Sequence, residues 1–286
     1  MFDRALPAPL ADLLKHELHL PVCPTVFIRL AEALEHADDG NFDLAKILSA
    51  DPTLTSQVLR VANSAFYGVP RQVNSLYEAI LRIGLTEIWS IAAALKAKEM
   101  FKNQNGEWSF LNRLLWEHAL KTAAAARCVV RQLKVQNADE LFTAALLHDL
   151  GKLLLNQIEP QYMLLCQNGV ITGAELTLRE MDFFGTHHAR LGGELLLHWN
   201  LPEPLALLVA RHHEEPDPAA PDRKLHNILA VANQIAHALS ESSLPGEPAL
   251  TRLLPETLLD SVGLDMDASM AIAEDAQTQF GILNSP

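Results

Sequence analysis

Two adjacent positions in the apolar run Ala144 to Leu153, His148 and Asp149, carry an imidazole and a carboxylate. Burial of such groups costs free energy unless they are paired, and a shared divalent cation offsets that cost for both. Neighbours on a regular helix point about 100° apart, so one cation serves both only from the helix edge, with other helices completing its shell. Three further places offer imidazoles: His118 in Leu-Leu-Trp-Glu-His-Ala-Leu, His188 in Thr-His-His-Ala-Arg-Leu-Gly-Gly, and the doublet His212-His213. Gly192, one turn beyond His188, would let a neighbouring helix approach closely. Lys152, one turn past His148, adds a cationic side chain beside the pair. Such donors hold a metal for chemistry or as part of a scaffold or sensor.

The elements that must position these residues read as helices. Apolar residues recur at helical spacing along nearly the whole chain, and turn-bounded clusters of Val, Ile, Thr and Tyr are missing. The pattern predicts an all-α protein. Val26 to Leu34 forms one helix closed by Gly40, and Leu44 to Ser49 a second; a third starts at Pro52 behind the N-cap Asp51 and ends in the turn Asn63 to Gly68. Leu76 to Ile83 stops at Gly84, and Thr86 caps a helix running towards Phe101. Further helices are predicted over Leu114 to Leu133, Ala138 to Asn156, Gly173 to Phe184, from about Thr186 to Trp199, Leu205 to His213 and Leu225 to Leu239. Asn200 can cap the helix before it, and Pro202 starts the following element. The polar stretch Lys102 to Ser109 divides the chain into an N-terminal helical subdomain of residues 1–105 and a second helical subdomain of 106–286 that ends in a C-terminal helical extension.

Composition narrows the function classes. The 286 residues suffice for a sizeable core, and 49% hydrophobic with 20% charged residues suits a globular protein. A formal charge of -13 repels nucleic-acid phosphates and anionic headgroups, which speaks against nucleic-acid and membrane partners, even though Leu54 to Tyr67 loosely resembles a helix-turn-helix. From Asp217 onward ten acids face three bases, read as a solvated face. Cys23, Cys128 and Cys166 form no Cys-x-x-Cys and read as buried, reduced thiols. With neither a leader nor a spanning apolar run, the protein is expected in the cytoplasm.

The ordered motifs resemble the HDOD family, relatives of the HD phosphohydrolases and HD-GYP phosphodiesterases. Leu20-Pro21-Val22-Cys23-Pro24, Asp51-Pro52-Thr53-Leu54-Thr55, Leu59 to Gly68 and Ala79 to Gly84 carry the likeness, followed by Trp116-Glu117-His118, His148-Asp149, Gly185 to His188 and Trp199 to Pro202. It covers about residues 20 to 215 and implies an HD-domain-like multi-helical bundle with an N-terminal helical subdomain. By this resemblance His118, His148 and Asp149 match the first three ligands of the HD signature. His188, His212 and His213 match the extra histidines of binuclear sites. The fourth signature ligand, an aspartate, falls at Asn233, whose amide lacks the charge a divalent ion favours. One or two divalent ions (Fe, Mn, Ni, Zn or Mg) are the implied cofactor. No Gly-Tyr-Pro follows His213, so cyclic di-GMP hydrolysis is not implied. The family points to a regulatory, signal-transduction protein acting on another signalling chain, and the turn Asn63 to Gly68, with Phe66 and Tyr67, is the candidate contact surface. The alternative is a metal-dependent phosphohydrolase acting on a nucleotide or phosphate ester, in which Asp149 would bridge two cations and Lys152 could neutralise a substrate phosphate.

Overall fold

Asp51 accepts a hydrogen bond from the Leu54 amide at 3.0 Å, and Pro52 stands at the first helical position, so the N-cap read from sequence is in place. The computed structural model describes residue 28 and residues 44–284, apart from 69–70, 103–106, 136–137, 160, 166–171, 218 and 242–246. Apart from Ile28, the predicted helix Val26 to Leu34 with its Gly40 cap lies outside the described residues, as do the first motif at Leu20 to Pro24, Cys166 and residues 103–106 of the polar stretch.

Helices α1 (Leu44–Ser49), α2 (Pro52–Ala62), α3 (Leu76–Ile83) and α4 (Leu85–Met100) pack together as the N-terminal part. A short 3-10 turn, Ala65–Tyr67, closes on Gly68 at φ +56, a left-handed conformation that glycine adopts without steric cost. Asn63 ties this turn down: its side chain donates to the Leu59 and Val73 carbonyls and accepts from the Val73 amide. The predicted cap at Thr86 shifts by two residues, since Gly84, at φ +95, ends α3 and begins α4.

The second part is built around α5 (Phe110–Leu133), which packs against α6 (Asp139–Leu147), α12 (Arg223–Glu241) and α15 (Met266–Asn284). Between them run α7 (Leu150–Ile158), α8 (Tyr162–Leu165), α9 (Gly173–Phe184), α10 (His188–His198) and α11 (Glu203–Ala210). Helices α13 (Glu247–Leu253) and α14 (Glu256–Val262) lie against α12. A continuous buried core joins both parts, with Trp89 of α4 meeting Phe142 of α6 edge-on at 6.1 Å. Cys128 sits in this core as a free, buried thiol. Among the described residues there is no strand, and no helix is long and apolar enough to cross a membrane.

One feature differs from the sequence reading. The single helix expected over Ala138 to Asn156 is interrupted at His148 and Asp149, which form a turn between α6 and α7. The buried His148 ring supplies the reason: its Nδ1–H donates to the Ala145 carbonyl at 2.8 Å, a local bond that competes with the helical ladder. Beyond α12 the C-terminal extension, read from sequence as helical, forms α13 to α15. Its charged side chains remain largely solvated, while Ile272, Ala273 and Ala276 bury the inner face of α15, and Asn284 accepts from the Trp116 indole at 3.0 Å.

Glycine at 151 and 192 brings α7, α10 and α11 together. A Cβ at Gly151 would stand 2.0 Å from the His188 carbonyl oxygen and 2.9 Å from the Gly192 nitrogen. One at Gly192 would meet Val209 at 3.2 Å, as its place one turn after His188 predicts. Backbone therefore touches backbone beneath the His-Asp turn, and this contact sets the height of His188 against Asp149.

Candidate metal centre

Asp149 stands at the middle of the histidine set. Its Oδ2 lies 3.5 Å from His148 Nε2 and 3.8 Å from His118 Nε2, while Oδ1 lies 3.3 Å from His188 Nε2 and 3.9 Å from His212 Nε2. His213 Nε2 is 3.1 Å from His188 Nε2. The six residues form two triads, His118–His148–Asp149 and His188–His212–His213, each with its donor atoms within 4.8 Å of one another. All six residues proposed from sequence as ligands are thus brought together, from α5, the α6–α7 turn, α10 and the end of α11.

The outer nitrogens decide where the ring protons sit. His148 Nδ1 faces the Ala145 carbonyl, His212 Nδ1 the Val209 carbonyl at 2.7 Å, and His188 Nδ1 a carboxylate oxygen of Glu180 at 2.7 Å. Each of those partners only accepts, so each Nδ1 carries the hydrogen and each Nε2 is turned towards Asp149. Burial pushes His148 below its ordinary pKa and His212 well below. His148 Nε2, His212 Nε2 and Asp149 Oδ1 are buried without a hydrogen-bond partner. Lone pairs and a carboxylate oxygen facing one another out of solvent form an arrangement that a cation between them satisfies. The residues fit a divalent metal on that ground.

Electrostatics agree. Burial works against ionised Asp149, but His148, Lys152 and His188 outweigh it and hold the carboxyl well below the carboxylate range. Burial likewise opposes a charge on His188, yet Glu180, helped by Asp149, keeps that imidazole above its usual value. His118 is held well below, by burial and then by the neighbouring His237. Burial also drives His213 to about 2 and His237 to about 4.

Lys152 does not project freely; its Nζ sits 2.7 Å from Asp149 Oδ2. Asn233, at the place of the fourth signature ligand, lies with Oδ1 2.9 Å from His118 Nε2. Tyr67 is half-buried, and its phenol is raised in pKa by burial and then by nearby Glu87. A change at Tyr67 therefore acts on packing as well as on any partner surface, while the side chain of Phe66 lies outside the described residues.

Sequence reasoning missed two members of the centre. Glu180 of α9 is fully buried, accepts from the Tyr162 hydroxyl, and takes both the ring and the backbone N–H of His188. Only its position, one helix before His188, signals it. His237 stacks on His118 with ring centroids 4.4 Å apart. It stands one turn after Asn233 on the same face of α12, a spacing that was open to reading.

Residues 20–215 match the HDOD domain family. The chain belongs to the HDOD family. An HDOD domain protein of unknown function from Geobacter sulfurreducens has the same fold, with 23% identity, a TM-score of 0.72 and 96% of each chain covered. A Marinobacter aquaeolei VT8 protein, named provisionally for signal transduction, aligns at 21% identity and TM-score 0.69, over 99% of this chain and 62% of its own. A Shewanella amazonensis SB2B protein, named provisionally as a phosphohydrolase, aligns at 22% and 0.66, over 96% and 98%. The chain spans about half the length of the curated relative it matches, at 24% identity over 266 residues. This HDOD chain accordingly combines a shared helical fold with two triads of inward-facing His and Asp side chains that could hold a metal ion.

Proposed function

We propose that this HDOD protein is a regulatory, signal-transduction protein whose His-Asp centre holds divalent metal and whose output is contact with another signalling chain. The observation that carries the reading is the enclosure of the donors: His148 and His188 are 0% exposed and Asp149 1%, so they face one another rather than solvent. Such a centre suits retention of an ion better than admission of a phosphate ester. The neutral Asn233 in the fourth ligand position supports the same reading, because it removes charge that a hydrolytic two-metal site draws on. An exposed apolar strip on α3, Tyr77 and Leu81 at 68% and 69% exposure one turn apart, supports protein contact as the output.

A second reading, metal-dependent phosphohydrolase, is favoured by the joining of two triads through Asp149, with His118 and Lys152 at the less buried rim. When bound, the metal would supply Lewis-acid activation of a phosphoryl group. His118, His148 and Asp149 would hold it on one side, His188, His212 and His213 on the other. Purified protein assayed for metal content and for turnover of nucleotides and simple phosphate esters separates the two. The regulatory reading expects bound metal without turnover, and metal-dependent turnover abolished by Asp149→Ala overturns it.

A further inference from the structure

Between the start of α12 and the end of α14 lies an open cleft of about 600 Å³, within the size range of small-molecule sites. Its two walls are chemically opposite. On one, Arg223 and Lys224 open α12, where the helix dipole adds to two cations adjacent in sequence. On the other stand Asp260 and Ser261 of α14. The Ser261 hydroxyl donates to the Leu258 carbonyl at 2.6 Å, so its oxygen is left to the cleft as an acceptor. Among the described residues, Arg223, Lys224 and Asp260 make no ion pair, so these charges line one cleft without cancelling one another.

Asn227, one turn after Arg223, supplies the observation that points to a ligand. It lines the cleft, is only 7% exposed, and its side-chain amide has no hydrogen-bond partner among the described residues. An amide so nearly enclosed is costly to leave unpaired. Its donor and its acceptor are both left for a molecule that enters the cleft. Val262, buried and also lining the cleft, offers apolar surface to the carbon frame of that molecule.

Two adjacent cations at a helix N-terminus match a dianion, and a phosphate monoester carries about −1.5 to −2 charges at neutral pH. The Asp260 and Ser261 side chains accept and do not donate, so the far end of the ligand must bring hydroxyl or amino donors. We propose that the cleft binds a small phosphate monoester, its phosphoryl group on Arg223 and Lys224 and its hydroxyl or amino groups on Asn227, Asp260 and Ser261. None of these residues belongs to the His-Asp centre, and the proposal stands whether or not that centre holds metal.

Calorimetric titration of the whole chain at low salt with ribose 5-phosphate, ribose and inorganic phosphate tests it, with Asp149→Asn and chelator-treated wild type included to remove binding at the centre. The ester is expected to bind more tightly than either half, and equally in all three proteins. Arg223→Gln/Lys224→Gln weakens it about tenfold or more, the loss of one charge-assisted bond. Asp260→Asn weakens the ester yet strengthens inorganic phosphate, whereas an effect of overall charge alone would strengthen both. Asn227→Ala weakens the ester several-fold and leaves the melting temperature of the free protein unchanged, no bond within the chain being lost. The side chains at 223, 224 and 260 are exposed, so those variants keep the fold. Ester binding that survives Arg223→Gln/Lys224→Gln, that disappears on chelation or with Asp149→Asn, or that inorganic phosphate equals overturns the proposal, as does no binding at millimolar ester. A phosphoserine peptide that binds more tightly than the ester overturns the small-molecule assignment.

Discussion

Glu180→Gln is the perturbation that reaches the centre without touching a ligand. The carboxylate accepts the His188 ring and backbone N–H groups at 2.7 and 2.8 Å and the Tyr162 hydroxyl, entirely out of solvent. An amide keeps the shape and one acceptor oxygen but loses the charge, so charge-assisted bonds worth about 1.5–3 kcal/mol fall towards the roughly 0.5–1.5 kcal/mol of neutral ones. The loss, about 1–2 kcal/mol of support for His188, corresponds to about five- to thirtyfold weaker metal binding. This agrees with the 10–100-fold typical of groups that orient a ligand from behind (about 1.4–2.7 kcal/mol). Competition against a chromogenic chelator at neutral pH measures it, with circular dichroism to establish that the variant is folded. Tyr162→Phe, which removes one of the bonds to the same carboxylate, is expected to have a smaller effect in the same direction. A folded Glu180→Gln protein that binds metal within about twofold of wild type would refute the reasoning, because Glu180 would then be a core group and not the support of His188.

Other consequences follow from the same geometry. Gly151→Ala places a methyl 2.0 Å from the His188 carbonyl, which is backbone and cannot rotate away; denaturant unfolding should register a loss of about 3 kcal/mol or more, and a loss under about 1 kcal/mol would contradict the close approach of α7 and α10. In metal-free protein, burial depresses His237 and His187 from 6.5 to about 4 and His213 to about 2, so the unfolded chain takes up protons first. Stability therefore declines as pH falls through 6.5 and keeps declining towards 4, with His237 alone contributing roughly 3 kcal/mol at most; unfolding curves that do not move across that interval would contradict the buried, neutral assignment. His188, whose pKa is raised, contributes with the opposite sign, a stabilisation present below 6.5 and lost as pH climbs through its folded value. Lys134 caps α5 at φ +51, a left-handed conformation costly for a side chain, so Lys134→Gly should raise the melting temperature by an amount equivalent to about 1 kcal/mol.

Much of the framework was legible because its signals are local. Asp51 before Pro52 marks a helix start, Gly173 to Phe184 a bounded amphipathic run, and Asn200 a positive-φ stop at φ +56, and each is found where the residue types require it. The histidines around Asp149 are legible as a set because His118, His148, His188 and His212-His213 follow in order along an otherwise apolar helical chain, although each alone is an ordinary helical histidine. What stayed hidden depends on distance in three dimensions. The break at His148 arises from its ring bonding Ala145, which no periodicity reveals. Glu180 reads as an ordinary acid on an amphipathic helix until α9 is laid against His188. Lys152 looks like a solvated helix-end lysine, and only the turn at Asp149 brings its ammonium onto the carboxylate. The C-terminal extension is legible as helical, but the bounds of its helices are not, because the apolar stripe of Ile272, Ala273 and Ala276 is sparse beside their acidic outer faces.

The central claim is that the donors around Asp149 hold a metal ion. Anomalous diffraction from crystals grown with Mn²⁺, Co²⁺ or Zn²⁺, recorded at the absorption edge of the ion used, tests it most directly. The account predicts a peak about 2.0–2.3 Å from the donor atoms of one of the two triads, His118–His148–Asp149 or His188–His212–His213. Crystals with no anomalous peak there, and with those nitrogens hydrogen-bonded to water, would contradict it.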